Sequence, residues 1–121
     1  MSKRRILVVD DEQMSREGVA EVLTDEGYEV MEAADGQEAV TALTSFQPDL
    51  VLTDLQMPKL NGMDVLKHVK QVCPTTPVMI FTASVLLDAQ REAQRLGVQG
   101  YLNKPLDFDV MLKQVAKALA S

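Results

Sequence analysis

Five short apolar runs recur along the chain, and they constrain its fold more than any other feature of the sequence. They span residues 6–9, 28–31, 50–52, 78–81 and 101–102. Most of them are rich in β-branched or aromatic residues, which favour strands. Short, nearly continuous apolar runs are typical of strands buried on both faces, as in a parallel sheet. We therefore predict five strands at these positions.

Segments with helical periodicity lie between and after these runs. Their apolar residues recur at positions i, i+3, i+4 and i+7, or at a subset of these, and so share one face of a helix. Strands that alternate with helices in this way indicate the α/β class, with a parallel sheet, helices on both of its faces and right-handed crossovers. The predicted apolar faces consist, in chain order, of Val19, Val22 and Leu23; of Ala39, Val40, Leu43 and Phe46; of Met63, Leu66, Val69 and Cys73; of Leu86, Ala89, Ala93 and Leu96; and of Phe108, Met111, Leu112, Val115 and Leu119.

Turn residues fall at the borders of these segments. Gly27 and Gly97 follow the first and fourth helical patterns, where glycine commonly ends a helix. Asp-Gly at 35–36 and Asn-Gly at 61–62 are turn dipeptides at predicted helix starts. The positions of these turn residues support a β-α unit repeated five times.

Length and charge narrow the class of protein further. The 121 residues suit one domain, 1–121, and the formal net charge of −6 disfavours direct nucleic-acid binding and a polybasic membrane anchor. No apolar run approaches the length of a membrane span, and the run that follows the N-terminal basic residues is too short for a signal peptide. With a single cysteine, Cys73, no intrachain disulfide is available. We expect a cytoplasmic protein.

Polar residues follow the predicted strands at the edge where parallel α/β sheets bind ligands. Asp10 and Asp11 follow the first strand, Asp54 the third, Thr82 the fourth and Lys104 the fifth. Three carboxylates gathered at one edge repel each other, and a bound cation relieves that repulsion. Oxygen ligands without histidine or cysteine favour Mg²⁺, Mn²⁺ or Ca²⁺ over zinc, and Mg²⁺ fits a small site of this kind.

These residues also suffice for a phosphoryl transfer. A carboxylate can act as a nucleophile and form an aspartyl phosphate. A metal ion and Lys104 would neutralise the charge on the transferring group, while Thr82 would donate a hydrogen bond to one of its oxygens. The sequence therefore predicts phosphoryl chemistry at this edge of the sheet.

Four segments together resemble the CheY-like receiver domain of the response regulators of two-component signalling systems. They are ILVVDDE, DLVLTDLQMPKLNGMDVL, VMIFTAS and GVQGYLNKP. The resemblance covers essentially the whole chain and is specific when the four are taken together. It implies a flavodoxin-like (βα)5 fold, doubly wound, with strand order 2-1-3-4-5.

The resemblance also implies a role for each acidic residue of the site. Asp54 is expected to be the phosphoacceptor. Asp11 is expected to bind Mg²⁺ directly, and Asp10 to act on it largely through water. The backbone carbonyl of Gln56 is expected to be another ligand.

Three further residues receive roles from the same resemblance. Lys104 is expected to pair with the phosphoryl group and to precede a cis peptide bond at Pro105. Thr82 and Tyr101 are expected to form a switch pair, in which the hydroxyl turns toward the phosphoryl oxygen and the ring follows inward. The roles imply a phosphorylation-dependent signalling switch and not an enzyme that turns over a separate substrate.

Partners follow from the resemblance as well. The implied phosphodonor is a sensor histidine kinase, a histidine phosphotransfer protein or a small phosphodonor. Its docking surface is expected to include the first helix, around residues 14–22. The surface formed by the fourth helix, fifth strand and fifth helix is expected to bind an output partner or a second copy in a homodimer.

Other functions remain open from the residues alone. A Mg²⁺-dependent phosphohydrolase also uses an aspartyl nucleophile, but it carries a second acid where this chain has Gln56. A flavin carrier needs a phosphate-binding first loop, whereas Asp-Asp-Glu at 10–12 repels phosphate. A pseudo-receiver would only bind partners. Taken singly, Asp10 and Asp11 could be helix caps, and Tyr101 could be an ordinary core residue.

Overall fold

The computed structural model describes residues 3–57, 61–83 and 87–120. Strands and helices alternate throughout this part of the chain, as the sequence predicts. The strands are β1 (Arg5–Val9), β2 (Glu29–Ala33), β3 (Leu50–Asp54), β4 (Val78–Thr82) and β5 (Gly100–Asn103). The helices are α1 (Gln13–Asp25), α2 (Gly36–Ser45), α3 (Gly62–Val72), α4 (Leu87–Arg95) and α5 (Phe108–Ala120).

All neighbouring strands pair in parallel, in the order β2-β1-β3-β4-β5. This confirms the predicted order. The register pairs Val9 with Thr53, so that Asp10, which directly follows β1, lies beside Asp54, the last residue of β3. Because every strand runs the same way, the carboxyl ends of the strands form one edge of the sheet.

Helices cover both faces of the sheet, which confirms the doubly wound architecture. On one face, α2, α3 and α4 pack against β-strand side chains such as Leu7, Val51 and Ile80. On the other face, α1 and α5 pack against Ile6, Leu52 and Phe81. The three inner strands are therefore buried on both sides, as their continuous apolar runs predict.

Two of the predicted burial patterns are wrong. Strand β2 buries only Ala33, and Met31 is 39% exposed, because β2 lies at the edge of the sheet. Phe108, predicted on the apolar face of the fifth helix, begins α5 and is 40% exposed. Conversely, Val65 of α3 is fully buried although it was not part of the predicted face. Leu86 of the predicted fourth face lies outside the described residues.

The predicted turn residues do end and begin helices. Gly27 and Gly97 have φ angles of 97° and 86°, the left-handed region that glycine adopts without strain. The Asp35 side chain accepts the Glu38 N–H at the start of α2. None of the helices in the described part of the chain has the length and apolar character needed to cross a bilayer.

The start of α3 packs directly against the end of β3. Asn61 and Asp64 form a reciprocal capping box, with bonds of 3.0 and 3.1 Å. The Gly62 N–H donates to the Leu55 carbonyl at 2.9 Å. A Cβ on Gly62 would overlap the Asp54 carbonyl oxygen and lie 2.8 Å from the Leu55 Cα. Only glycine allows α3 to approach this closely, and the approach fixes the backbone that carries Asp54.

Candidate phosphoacceptor and metal site

Three carboxylates meet at the carboxyl edge of the sheet. Asp10, Asp11 and Asp54 each offer a carboxylate oxygen, and these oxygens lie within 4.8 Å of one another. Asp10 is fully buried and Asp54 is 7% exposed, whereas Asp11 is open to solvent. The oxygen-only donor set and its one open side suit a hard divalent cation.

Lys104 bridges two of these carboxylates. Its Nζ lies 3.0 Å from Asp10 Oδ2 and 3.0 Å from Asp54 Oδ2. The Lys104 N–H donates to the Thr82 carbonyl at 2.8 Å, which ties the end of β5 to the end of β4. The Lys104–Pro105 peptide bond is cis, as expected. The ammonium offsets part of the negative charge that the sheet edge collects.

The two buried carboxyls are held at different pKa values. Burial, with the nearby charge of Asp10, raises the pKa of Asp54 above its ordinary value despite the bonds from Lys104. Burial also acts to raise the pKa of Asp10, but hydrogen bonds from the Glu12 N–H and Lys104 outweigh it and hold the Asp10 pKa below its ordinary value. Asp54 is therefore the carboxyl of this pair that takes up a proton more readily.

The pKa of Lys104 shifts against the direction that its burial favours. Burial alone would lower the pKa of its ammonium, but the hydrogen bonds to Asp10 and Asp54 raise it. The ammonium is therefore charged at neutral pH. It lies 5.2 Å from the centre of the Phe81 ring, whose face also favours a cation.

The predicted switch residues lie on adjacent strands and share one face of the sheet. Tyr101 is in register with Ile80, and Thr82 follows Ile80 by two residues. Since side chains two apart on a strand point the same way, Thr82 and Tyr101 lie on the same side. Thr82 is 1% exposed. The Tyr101 hydroxyl is buried and finds no hydrogen-bond partner within residues 3–57, 61–83 and 87–120.

Burial and the negative charge of Asp54 raise the pKa of Tyr101. Its hydroxyl is therefore neutral at ordinary pH. A buried hydroxyl that lacks a partner among the described residues is an unfavourable arrangement.

Gln56 lies just beyond Asp54, and its N–H donates to Asp54 Oδ1 at 3.2 Å. The structure thus brings the predicted residues of the β1, β3, β4 and β5 ends to one region.

The sequence alone left open that Asp10 and Asp11 cap the first helix. That alternative finds no support, because Glu12 is the N-cap of α1 and makes no side-chain cap. The metal-ligand role of the Gln56 carbonyl stays a prediction.

Two residues that bear on the site escaped the sequence reasoning. Gly62 was assigned to a turn, without its contact to Asp54. Arg16, one turn into α1, donates from Nη1 to the Asp10 carbonyl at 2.9 Å. A basic residue at helical spacing after an acidic pair was the available signal, and it is a weak one.

A parallel sheet in this order, with an acidic cluster and a lysine at its carboxyl edge, defines the CheY-like class of α/β domains. The chain matches the family model described as the response regulator receiver domain over residues 6–116, and it belongs to that family. It is accordingly a domain of the kind that acts as a signalling switch.

Individual relatives agree with this assignment. The chain is 37% identical over 119 residues to sporulation initiation phosphotransferase F of Bacillus subtilis, covering 98% of this chain and 96% of that protein. It is also 37% identical to the DNA-binding transcriptional regulator NtrC of Proteus hauseri, but it spans 25% of that protein's length. Among solved structures, it is similar to the chemotaxis protein CheY4 of Vibrio cholerae, with a TM-score of 0.90, 30% identity and coverage of 97% and 99%.

Proposed function

We propose that this domain accepts a phosphoryl group on Asp54 from a phosphohistidine donor or a small phosphodonor, in a Mg²⁺-dependent reaction. The observation that carries the proposal is the joint placement of Asp10, Asp11, Asp54 and the Lys104 ammonium at one edge of the sheet. The Bacillus subtilis relative is named as a phosphotransferase, which fits this reaction.

Asp10, Asp11 and Asp54 would hold the divalent ion, and the Gln56 backbone carbonyl would add a further oxygen. Mn²⁺ could replace Mg²⁺ because it accepts the same ligand types. When bound, the ion would neutralise negative charge on the carboxylates and on the transferring phosphoryl group. Asp11 is the exposed member of the set and would meet the ion first.

Asp54 is the proposed nucleophile. One of its carboxylate oxygens would form a bond to phosphorus as the bond from phosphorus to the donor histidine nitrogen breaks, and the imidazole would leave with that electron pair. Lys104 would stay beside Asp54 and bind a phosphoryl oxygen, and the Thr82 hydroxyl would donate to another. The low exposure of Asp54 would limit attack by water on the acyl phosphate.

The same contacts would drive a switch. A phosphoryl group that draws the Thr82 hydroxyl toward Asp54 would open space on the shared face, into which the Tyr101 ring could turn. The Tyr101 hydroxyl supports this, because it lacks a hydrogen-bond partner among the described residues and a turn of the ring would move it out of that position. The movement would reshape the α4-β5-α5 surface, where an output partner or a second copy would bind.

The donor would be a sensor histidine kinase or a histidine phosphotransfer protein, docking in part on α1. A single receiver domain over residues 1–121 and a cytoplasmic location belong to the same proposal. The net charge of −6 keeps direct nucleic-acid binding outside it.

Intact-mass measurement after exposure to acetyl phosphate, with and without Mg²⁺, tests the proposal. One phosphoryl adduct is expected with Mg²⁺, and none in the Asp54→Asn variant. An unchanged wild-type mass, under conditions that preserve an acyl phosphate, would favour a domain that only binds partners. Sustained turnover of small phosphate esters would instead favour a phosphohydrolase.

A further inference from the structure

The loop between β1 and α1 carries two of the three clustered carboxylates, and Asp10 within it is bonded at every polar group. Its N–H donates to the Ala33 carbonyl at 3.1 Å. Its Oδ1 accepts the Glu12 N–H at 2.9 Å, and its Oδ2 accepts Lys104 Nζ at 3.0 Å. The remaining group, the backbone carbonyl, accepts from Arg16.

Arg16 makes two hydrogen bonds that point in different directions. Nη1 donates to the Asp10 carbonyl at 2.9 Å, and Nε donates to Glu32 Oε1 at 3.0 Å. The Arg16 side chain is 15% exposed, so its guanidinium is largely withdrawn from water. These two hydrogen bonds, called here the Arg16 fork, tie the β1–α1 loop to the end of β2. Glu32 orients the guanidinium from the side opposite Asp10.

The start of α1 lacks a side-chain cap, and the two Arg16 hydrogen bonds are among the contacts that hold it, together with a hydrogen bond from Ser15 to the Asp10 side chain. Glu12, the N-cap residue, makes no side-chain cap hydrogen bond, whereas α2 and α3 are both capped by side chains. A helix start without a side-chain cap lacks the stabilisation that a cap would contribute, so other contacts matter more there. Arg16 supplies one such contact, and it is the one that binds the backbone carbonyl of Asp10.

We propose that Arg16 is a positioning residue, which fixes the β1–α1 loop so that Asp10 and Asp11 face a divalent ion together with Asp54. This proposal rests on the proposed function. Arg16 would act through the Asp10 backbone and not as a ligand of the ion or of the phosphoryl group.

The charge of Arg16 makes the proposal sharply testable. Through space, a cation near the site opposes Mg²⁺, so that Arg16→Gln would tighten Mg²⁺ binding if electrostatics alone acted. Loss of positioning acts in the opposite direction. Outer-shell partners of metal ligands typically change metal affinity by about 10- to 100-fold, which exceeds the effect of one partly screened charge.

The experiment is a Mg²⁺ titration of the whole chain followed by amide chemical shifts, for wild type, Arg16→Gln and Arg16→Lys. We expect the Mg²⁺ Kd to rise about 10-fold in Arg16→Gln. Arg16→Lys keeps the charge but loses the fork, and we expect a smaller rise. If Arg16→Gln does not fold, the Lys variant carries the test.

Arg95→Gln is the matched control. Arg95 also pairs with a glutamate, Glu92, but on the exposed surface of α4, and its replacement removes the same charge. We expect its Kd to equal that of wild type. In phosphorylation by acetyl phosphate, Arg16→Gln should need more Mg²⁺ for half-maximal rate while its rate at saturating Mg²⁺ stays near wild type.

An unchanged or tighter Kd in folded Arg16→Gln, with wild type binding Mg²⁺ normally, would overturn the positioning role alone. A purely structural role is distinguished in the same way, because it would lower the free energy of unfolding and leave the Kd of the folded protein unchanged. If wild type itself shows no Mg²⁺-dependent shifts, the proposed function fails together with the positioning role.

Discussion

The acidic residues of the site lie on the β1–α1 loop and at the end of β3, and these two regions are held in place by different means. The β1–α1 loop is held by polar contacts, since Arg16, Glu12 and Lys104 all bind Asp10. The backbone at the β3–α3 junction is held by close packing at Gly62 and by the Asn61 capping box. The backbone of Asp54 is thus positioned by close packing, whereas Asp10 is positioned by hydrogen bonds.

The largest effect is expected from Gly62→Ala, which breaks the packed junction. The new methyl group meets backbone atoms of Asp54 and Leu55, which cannot move aside as a side chain could. We expect the free energy of unfolding to fall by about 3 kcal/mol. Denaturation in urea measures it, and phosphorylation of Asp54 should fall in the same variant.

Gly18→Ala is the matched control for that substitution. Gly18 lies within α1, and a Cβ there has no neighbour within 4 Å. Alanine in a helix interior should raise the free energy of unfolding by about 0.5–1 kcal/mol. Equal losses in the two variants would show that packing at the β3–α3 junction is not special.

Lys104→Met removes the group that joins the β1–α1 loop to the end of β3. The ammonium that binds both Asp10 and Asp54 is lost, while an unbranched side chain of nearly the same length is kept. We expect the rate of phosphorylation by acetyl phosphate to fall about 100-fold, the usual effect of removing one charge-stabilising donor. A time course of intact mass measures this, with exposed Lys113→Met as the control. A rate within a few fold of wild type would argue that Lys104 has no part in the reaction.

A smaller effect is expected from removing helix caps. Asn61→Ala and Asp35→Ala each delete one side-chain cap, at α3 and α2 respectively. Both should lower the free energy of unfolding by about 1 kcal/mol. Only Asn61→Ala should also slow phosphorylation, because α3 abuts the backbone of Asp54. Parallel changes in both variants would contradict the special role of the β3–α3 junction.

The smallest effect is a pH-dependent difference between wild type and Asp54→Asn in Mg²⁺-free solution. Burial raises the pKa of Asp54, so the folded state holds that proton more tightly than the unfolded chain does. Ionisation of Asp54 therefore opposes folding at neutral pH, and this opposition fades as the pH falls through the folded pKa. Asp54→Asn should thus be more stable than wild type at neutral pH.

That gain should shrink as the pH is lowered toward the ordinary carboxyl value of 3.8. Asp10 behaves oppositely: its lowered pKa contributes stability above its unfolded value, which is lost as the pH falls through its folded pKa. Urea denaturation of both proteins at a series of pH values separates the two residues. Equal stability at neutral pH would show that Asp54 is not strained by its surroundings.

The fold could be predicted from the sequence because most of its strands are buried on both faces. The runs in β1, β3 and β4 are continuous and apolar, and a parallel sheet is the arrangement that buries such runs. Strand β2 was predicted with the wrong burial, since an edge position depends on strand order and not on local composition. The predicted burial of Phe108 was wrong for a related reason. Phe108 shares the helical spacing of the core face, but it is the first residue of α5, and spacing does not show where a helix begins relative to the core.

The site could be predicted as a set of residues but not as a network. Asp10, Asp54 and Lys104 are adjacent to strand ends, so the topology alone brings them to one edge. The Arg16 bond to a backbone carbonyl and the contact of Gly62 with Asp54 leave no such mark, because each involves main-chain atoms, which are alike in every residue. These two contacts nevertheless contribute to the positions of the β1–α1 loop and of the end of β3.

The Lys104 bridge has a consequence for how ion binding and folding relate. The Lys104 ammonium lies 3.0 Å from a carboxylate oxygen of Asp10 and 3.0 Å from one of Asp54. These two carboxylates therefore have a positive partner within the protein itself. In a zinc finger the metal is what makes the chain fold. Here a chelator should abolish phosphorylation while leaving the melting temperature nearly unchanged. Mg²⁺ would then be required for the reaction and not for folding.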